Sequence, residues 1–308
     1  MTYQSSAISL APRPVLQEPY AGLGWGLLGV AAFSFTLPLT RYAVGGLEPL
    51  FIGAGRAVVA AVLAVAALTL TRQRFPSSRQ WARLLVVGGG IVVVFPLLTT
   101  YALTSASASH GAVMIALLPA ATAAMAVLRG HEHPPVAFWV AAGLGAVAAL
   151  TFAFVQTGGF GTPDPADLLL LVAVLGAAIG YAEGGLLARE LGAWQTVSWA
   201  LVLCAPLMTA LTVLSATRHT PEGTPREWAS FAYLGAVSMF LGFVAWYRGL
   251  AIGPMAQVSQ VQLVQPVMTM AWAGLLLGEH LSAATVLGGL TVIACAGSAV
   301  RVRSNRAS

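Results

Sequence analysis

Apolar runs of about 20 residues recur along nearly the whole chain and are separated by short polar connectors. That length spans a bilayer as an α-helix, and the runs are too long and too continuously apolar for the alternating strands of a membrane barrel. The pattern therefore predicts an all-α polytopic membrane protein with ten transmembrane helices. The predicted spans, numbered first to tenth, are 21–40, 50–71, 84–103, 107–128, 134–155, 166–187, 194–214, 228–250, 256–276 and 282–300.

The composition excludes a soluble protein of ordinary surface chemistry. The 308 residues are 58% hydrophobic and 8% charged, whereas soluble domains carry about 25% charged residues. A Gly-rich, acidic connector near residue 160 divides the chain into halves. The predicted organisation is a cytoplasmic tail (1–19), a first five-helix repeat (20–157), a linker (158–165), a second five-helix repeat (166–303) and a C-terminal tail (304–308).

The basic residues predict the orientation. All 15 are arginines, and connectors with excess basic charge stay on the cytoplasmic side. With both termini in the cytoplasm, 11 arginines fall on that side: Arg13, Arg72, Arg74, Arg79, Arg83, Arg129, Arg189, Arg248, Arg301, Arg303 and Arg306. Arg41, Arg218 and Arg226 fall outside, and Arg56 lies within a span. This distribution is a membrane-topology signal and indicates no nucleic-acid partner.

An internal repeat is the most informative feature of the sequence. Pro119, Thr122 and Glu132 recur as Pro266, Thr269 and Glu279, each 147 residues later. Duplicating an odd number of spans places the two halves in opposite orientations. Inverted repeats are characteristic of secondary transporters, whose substrate site lies near the midplane where the halves meet.

Several segments carry a family resemblance. The sequence from Tyr247 through Ala251, the Gln265-Pro266 pair, Gly278-Glu279 and Gly288-Gly289 resembles the signature of EamA-type permeases of the drug/metabolite transporter superfamily. The first-half stretch from Tyr101 through Ser105 and Ala106 to Pro119 and Glu132 is similar, though looser. The segment His131-Glu132-His133-Pro134-Pro135 departs from the usual pattern. The chain as a whole is similar to aromatic amino-acid exporters of the YddG type.

The resemblance implies a ten-helix carrier that exports or exchanges amino acids or similar small metabolites across the bacterial inner membrane by alternating access. An efflux carrier for drugs, organic cations or nucleosides is the alternative. The expected partners are the substrate and the lipid bilayer, with a monomer as the simplest state and an oligomer left open. No cofactor is expected, and because the chain has no lysine it has no phosphate-binding G-x-x-x-x-G-K-[ST] loop.

Polar side chains within the spans are the candidates for substrate binding. The ninth span carries Gln257, Gln260, Gln262 and Gln265, which line a polar path or act as interhelical hydrogen-bond glue. His110 precedes Gln257 by 147 residues, with Met114 one turn beyond. Tyr101, Trp246 and Tyr247 either offer rings to a ligand or belong to the interfacial aromatic belt.

Two charges and two prolines within spans complete the predicted site. Charged groups inside a membrane are functional candidates because removing them from water is costly. Arg56 either holds a substrate carboxylate or extends to the headgroups, and Glu183 either takes up a coupling proton or is solvated at the interface. Pro119 and Pro266 are predicted hinges, because each interrupts backbone hydrogen bonding at matching positions.

A membrane enzyme and a channel are the alternative classes to a carrier. His131 and His133 are two residues apart and cannot share a helical face, as a zinc H-E-x-x-H motif requires. We therefore expect no catalytic residues and no metal site. A channel is harder to exclude by sequence, but the inverted repeat favours a carrier.

Overall fold

The computed structural model describes residues 19–130 and 165–279, together with the isolated positions 136, 139, 140, 143, 144, 147 and 287. The described chain folds into helices joined by short turns, which confirms the predicted all-α class. Most of the predicted fifth and tenth spans lies outside the described residues, as do His131, Glu132 and His133.

Six helical segments of the described chain are long and apolar enough to cross a membrane: Tyr20–Ala43, Pro49–Leu70, Ser78–Ser105, Pro165–Leu191, Ala193–Arg218 and Pro225–Ile252. They correspond to the predicted first, second, third, sixth, seventh and eighth spans. The first comprises helices Pro19–Ser34 and Thr36–Ala43. Leucines such as Leu27, Leu70 and Leu275 are exposed on the outer surface of the bundle, as expected for a multi-pass membrane protein.

The predicted fourth and ninth spans are interrupted helices. The fourth consists of Ala108–Ile115 and Leu118–Gly130. The ninth consists of Met255–Ser259, a 3₁₀ turn over Gln260–Val264, and Gln265–Leu277. Pro119 and Pro266 are each the second residue of the last helix in their span. A proline fits there, because the N–H groups of the first helical turn have no hydrogen-bond acceptor within the helix. The α-helical hydrogen-bond pattern is therefore replaced by a turn before Pro119 and by a 3₁₀ segment before Pro266.

In the third and eighth spans, the element boundaries repeat with the 147-residue offset seen in the sequence, except that the π-helical segment starts two residues earlier in the eighth. In the third span, Ser78–Gly88 leads into a π-helical segment, Gly89–Val94, and then Phe95–Ser105. In the eighth span, Pro225–Tyr233 leads into π-helical Leu234–Leu241 and then Gly242–Ile252.

The third and eighth spans also begin with the same kind of N-terminal cap. Ser77 and Gln80 form a capping box at the third span, and Thr224 and Glu227 form one at the eighth. Both pairs, like the starts at Ser78 and Pro225, are 147 residues apart. The repeat thus extends from sequence motifs to local backbone geometry.

Close helix packing relies on small residues. A Cβ at Gly22 of the first span would lie 2.8 Å from Gly253 Cα, and one at Gly249 would lie 2.8 Å from Gly22 O. Membrane helices gain most of their association from such close van der Waals contact, because lipid and side chains are equally apolar. The same contacts place the start of the first span beside the end of the eighth.

Candidate substrate cavity

A small cavity of about 20 Å³, room for about one water molecule, lies between the two halves of the described chain. The first half contributes Phe33, Thr36, Arg56, Ile91, Phe95, Pro96 and Ile115, and the second contributes Tyr181, Ser238, Met239, Phe243 and Gln265. Ile91 and Ser238 are 147 residues apart, and so are Pro96 and Phe243. The wall therefore includes two pairs of corresponding positions of the two repeats. The cavity is closed around a volume far smaller than a small-molecule site, so a ligand would need the two halves to move apart.

Arg56 is the charged residue among the side chains that line the cavity. Arg56 is 2% exposed, and its Nη2 atom donates a hydrogen bond to Thr99 Oγ1 at 3.3 Å. The Nε atom is buried and has no hydrogen-bond partner. No salt bridge found within the described chain includes Arg56. A guanidinium is thus held inside the bundle with a single hydroxyl partner.

Amides and hydroxyls add polar groups near the cavity. Gln265 lines the wall, and its Oε1 is buried and unpartnered. Both side-chain polar atoms of Gln260, in the 3₁₀ turn, are also buried without a partner. Thr36 and Ser238 share a 2.7 Å hydrogen bond that joins the first and eighth spans. The predicted residue Gln257 is buried and does not line the cavity.

An aromatic cluster closes one side of the cavity. The Phe33 ring centroid lies 4.9 Å from that of Phe243 and 6.4 Å from that of Trp246, and the Tyr181 and Trp246 centroids are 5.4 Å apart. Trp246 and Tyr247 are fully buried, and the Tyr247 hydroxyl donates to Gly180 O at 3.1 Å. The predicted pair Trp246 and Tyr247 therefore packs behind the cavity wall and is absent from the interfacial belt.

Beyond the aromatic cluster lies an ion cluster formed by Arg83, Arg129, Glu183 and Glu190. Glu183 is 2% exposed and follows Tyr181 by two residues, about 3 Å further along the helix axis. One carboxylate oxygen accepts from Arg83 Nε, and the other accepts from Arg129 at 3.0 Å (Nε) and 2.5 Å (Nη2). Arg83 also pairs with Glu190. The predicted proton site is thus a carboxylate held by two arginines from the third and fourth spans.

We call the end of the bundle that contains this ion cluster the arginine-rich end. Its connectors also meet there: the Gln195 amide donates to Gln73 at 3.4 Å, and Phe75 packs against Trp199 with centroids 5.2 Å apart. Arg189 donates to the carbonyls of Leu250 and Gly253 at 3.3 Å each.

At the opposite end of the bundle, two carboxylates form hydrogen bonds with the start of the fourth span. His110 Nε2 lies 2.6 Å from Asp167 Oδ1, which links the fourth and sixth spans. Glu279 accepts hydrogen bonds from the backbone N–H groups of Ala108 and Ser109, both at 3.2 Å, and so caps the start of the fourth span. His110 therefore contributes to closing this end, and it does not line the cavity.

Two further predicted residues lie away from the cavity. Tyr101 is 41% exposed on the outer surface of the third span, consistent with the belt alternative. Met114 packs against a small apolar cluster that includes Ala102 and Leu170. Of the predicted binding residues, the structure places Arg56 in the cavity wall and Gln260 close in sequence to the wall residue Gln265.

Sequence reasoning missed several wall residues. Thr36, Tyr181 and Ser238 are polar groups within apolar spans, and that interruption was the available signal. The repeat offset also relates polar positions of the first and sixth spans: Ser34 precedes Tyr181, and Thr36 precedes Glu183, by the same 147 residues. Phe33 and Phe243 carried no signal, because phenylalanine is equally common facing lipid.

The apolar exterior and the six membrane-length helices of the described chain are the features of a multi-pass membrane protein. The sequence matches the EamA-like transporter family twice, over residues 20–154 and 164–300, and the chain belongs to that family. The match confirms the resemblance to EamA-type permeases of the drug/metabolite transporter superfamily.

One curated relative supports the same assignment, and one solved structure supports the fold. The chain is 43% identical over 288 residues to the uncharacterized transporter YdeK of Bacillus subtilis (strain 168), covering 90% of this chain and 97% of that protein. A solved crystal structure superposes with a TM-score of 0.72 at 18% identity, covering 92% of this chain and 99% of the other. The latter likeness supports the fold alone.

Proposed function

We propose that this protein is a secondary carrier that moves amino acids or similar small metabolites across the bacterial inner membrane by alternating access. The observation that carries the proposal is the central cavity, to which both halves contribute and whose wall includes the corresponding pairs Ile91 with Ser238 and Pro96 with Phe243. A site shared by two halves can be opened to either side by rocking one half against the other.

The proposed architecture is ten transmembrane helices in two inverted five-helix repeats, with both termini in the cytoplasm. The offset of 147 residues between matching motifs, caps and helix boundaries supports the repeat. The clustering of Arg83, Arg129 and Arg189 at one end supports a cytoplasmic position for that end.

The proposed inner gate is the ion cluster together with the aromatic cluster beneath the cavity. Glu183 joins the sixth span to the third and fourth spans through Arg83 and Arg129, so opening toward the arginine-rich end requires these pairs to separate. The helix breaks before Pro119 and Pro266 are the proposed hinges. In this mechanism the proton-coupling role proposed for Glu183 requires release of its arginines before protonation.

Transport is tested by counterflow in proteoliposomes. Vesicles are preloaded with unlabelled amino acids, and the entry of each labelled amino acid is followed, with protein-free liposomes as control. Transient accumulation above equilibrium that depends on the preloaded solute would support a carrier and begin to rank its substrates. Entry that only equilibrates, without dependence on preloading, would contradict alternating access and favour a channel.

Topology is tested by labelling single cysteines with a membrane-impermeant maleimide. The background carries Cys204→Ala and Cys295→Ala, and the reporters are Ser5→Cys, Ser304→Cys and Gly158→Cys. We expect labelling of intact cells at position 158 and labelling at positions 5 and 304 only after permeabilisation. Labelling of positions 158 and 304 from the same side would contradict the inverted repeat.

A further inference from the structure

We propose that the cavity is a carboxylate site, in which Arg56 binds the substrate's carboxylate and the surrounding rings hold an apolar body, with no ammonium group required. The inference rests on the proposed function, because it takes the cavity as a carrier's substrate site, and it narrows the substrate class of that site. Cations and uncharged nucleosides are excluded from it.

Arg56 carries a positive charge that no acidic side chain of the described residues balances. A guanidinium in an apolar interior is tolerated when an anion pairs with it or when it reaches water. Arg56 is 2% exposed, with a threonine hydroxyl as its hydrogen-bond partner. Its geometry suits a carboxylate, since the planar guanidinium donates from a fork that matches two carboxylate oxygens.

The acidic side chains of the described chain lie away from the cavity, and most of them have other partners. Glu183 and Glu190 pair with arginines, Asp167 pairs with His110, and Glu279 caps the fourth span.

At the opposite end, Glu48 accepts from Phe51 N at 2.8 Å and from the Ser215 hydroxyl, and Glu227 belongs to the capping box with Thr224. Glu222 lies on the connector before that box. The positive charge in the cavity therefore finds no protein counter-ion within the described residues.

The remaining wall is largely aromatic. Phe33, Phe95, Tyr181 and Phe243 line the cavity together with Arg56, and such ring surfaces would hold an apolar body of ring size once the two halves move apart to admit it. The polar groups of the wall are neutral, such as Gln265 Oε1 and the Ser238 hydroxyl. A ligand ammonium would meet no carboxylate within the described wall and would be repelled by Arg56.

The test uses three probes that share one phenyl-ethyl skeleton. 3-Phenylpropanoate carries only the carboxylate, phenylalanine carries the carboxylate and an ammonium, and 2-phenylethylamine carries only the ammonium. Binding to the purified full-length protein in nanodiscs is measured by titration calorimetry, with empty nanodiscs as control. We expect 3-phenylpropanoate to bind at least as tightly as phenylalanine, and the amine to bind more than about 10-fold more weakly.

Two variants connect the binding to Arg56. Arg56→Gln should lose at least about 10-fold in affinity for 3-phenylpropanoate, and Arg56→Lys should retain part of it, because an ammonium keeps the charge without the fork. Arg79→Gln, which removes an exposed arginine from the start of the third span, should leave the affinity unchanged. The comparison of the three probes uses the wild-type protein alone. It therefore tests the carboxylate site even if a variant fails to fold.

The outcomes separate this inference from the proposed function. Equal or tighter binding of the amine, failure of folded wild-type protein to bind 3-phenylpropanoate, or unchanged affinity in folded Arg56→Gln would overturn the carboxylate site. Counterflow of other solutes would then still support a carrier. Binding that follows Arg56, combined with no counterflow of any bound probe, would support the site and contradict the carrier.

Discussion

Arg56 and Glu183 are both buried charges, each 2% exposed, yet their surroundings differ completely. Glu183 accepts hydrogen bonds from two arginines, whereas Arg56 donates to one threonine. Two charges of the same burial thus suggest opposite roles. A charge whose partners are supplied by neighbouring helices holds those helices together, while a charge whose partner is a neutral hydroxyl retains its capacity to bind an anion.

The largest effect should come from removing the unpaired charge. We expect Arg56→Gln to lower counterflow of a carboxylate substrate by about 100-fold, because a charge-assisted contact worth about 3 kcal/mol is lost. The midpoint of thermal unfolding should stay equal or rise, since the variant no longer buries an unpaired charge. Transport is measured in proteoliposomes and unfolding by intrinsic tryptophan fluorescence. A large drop in the midpoint would show that Arg56 is structural, contrary to the comparison.

Removing the paired charge of Glu183 should lower stability and leave ligand affinity unchanged, the opposite of what is expected for Arg56. Glu183→Gln leaves Arg83 and Arg129 facing each other without the carboxylate, and we expect it to destabilise the protein by about 1–3 kcal/mol. That figure is below the range for fully buried pairs because both arginines are partly exposed. The unfolding midpoint should fall, while the affinity for a carboxylate probe should be kept. An unchanged midpoint would contradict a role in joining the spans.

Glu190→Gln is the matched control for the unfolding midpoint of Glu183→Gln. Glu190 also pairs with Arg83, but its side chain is 48% exposed, so solvent screens the interaction. Its removal should shift the unfolding midpoint much less than Glu183→Gln does.

A smaller effect should follow loss of the hydroxyl beside Arg56. Thr99→Val keeps the shape of the side chain and removes the oxygen that accepts from the guanidinium. We expect an affinity loss of about 3- to 10-fold for 3-phenylpropanoate, because the guanidinium loses one positioning hydrogen bond worth about 1 kcal/mol. Calorimetry measures it. Thr100→Val, whose hydroxyl bonds to its own helix at Pro96 O, serves as control and should bind normally.

The smallest expected effect concerns the helix breaks. Pro119→Ala and Pro266→Ala allow the interrupted helices to extend, and we expect each to slow counterflow by a few-fold at unchanged probe affinity. Pro206→Ala, within the seventh span and without a counterpart in the repeat, is the control and should transport at the wild-type rate. Equal slowing in all three variants would argue for a general packing effect and against paired hinges.

The sequence by itself determined the class of fold and the family. Span-length apolar runs in a chain with 8% charged residues leave little alternative to membrane helices, and the 147-residue recurrence identified the repeat and the two prolines at which spans four and nine break. Arg56 could also be selected from sequence, because a charge within an apolar run is rare and costly enough to need a reason.

Only the tertiary structure decided which polar residues meet in the cavity. Sequence position gives depth along a helix and an approximate face, but it does not say which helix lies opposite. Tyr101 and Arg56 looked equally suitable along the chain, yet packing turned Tyr101 outward and enclosed Arg56. The pairing of Glu183 with Arg83 and Arg129 spans sequence separations of 100 and 54 residues. No local pattern encodes such contacts, because they arise from how glycine-rich helix faces pack together.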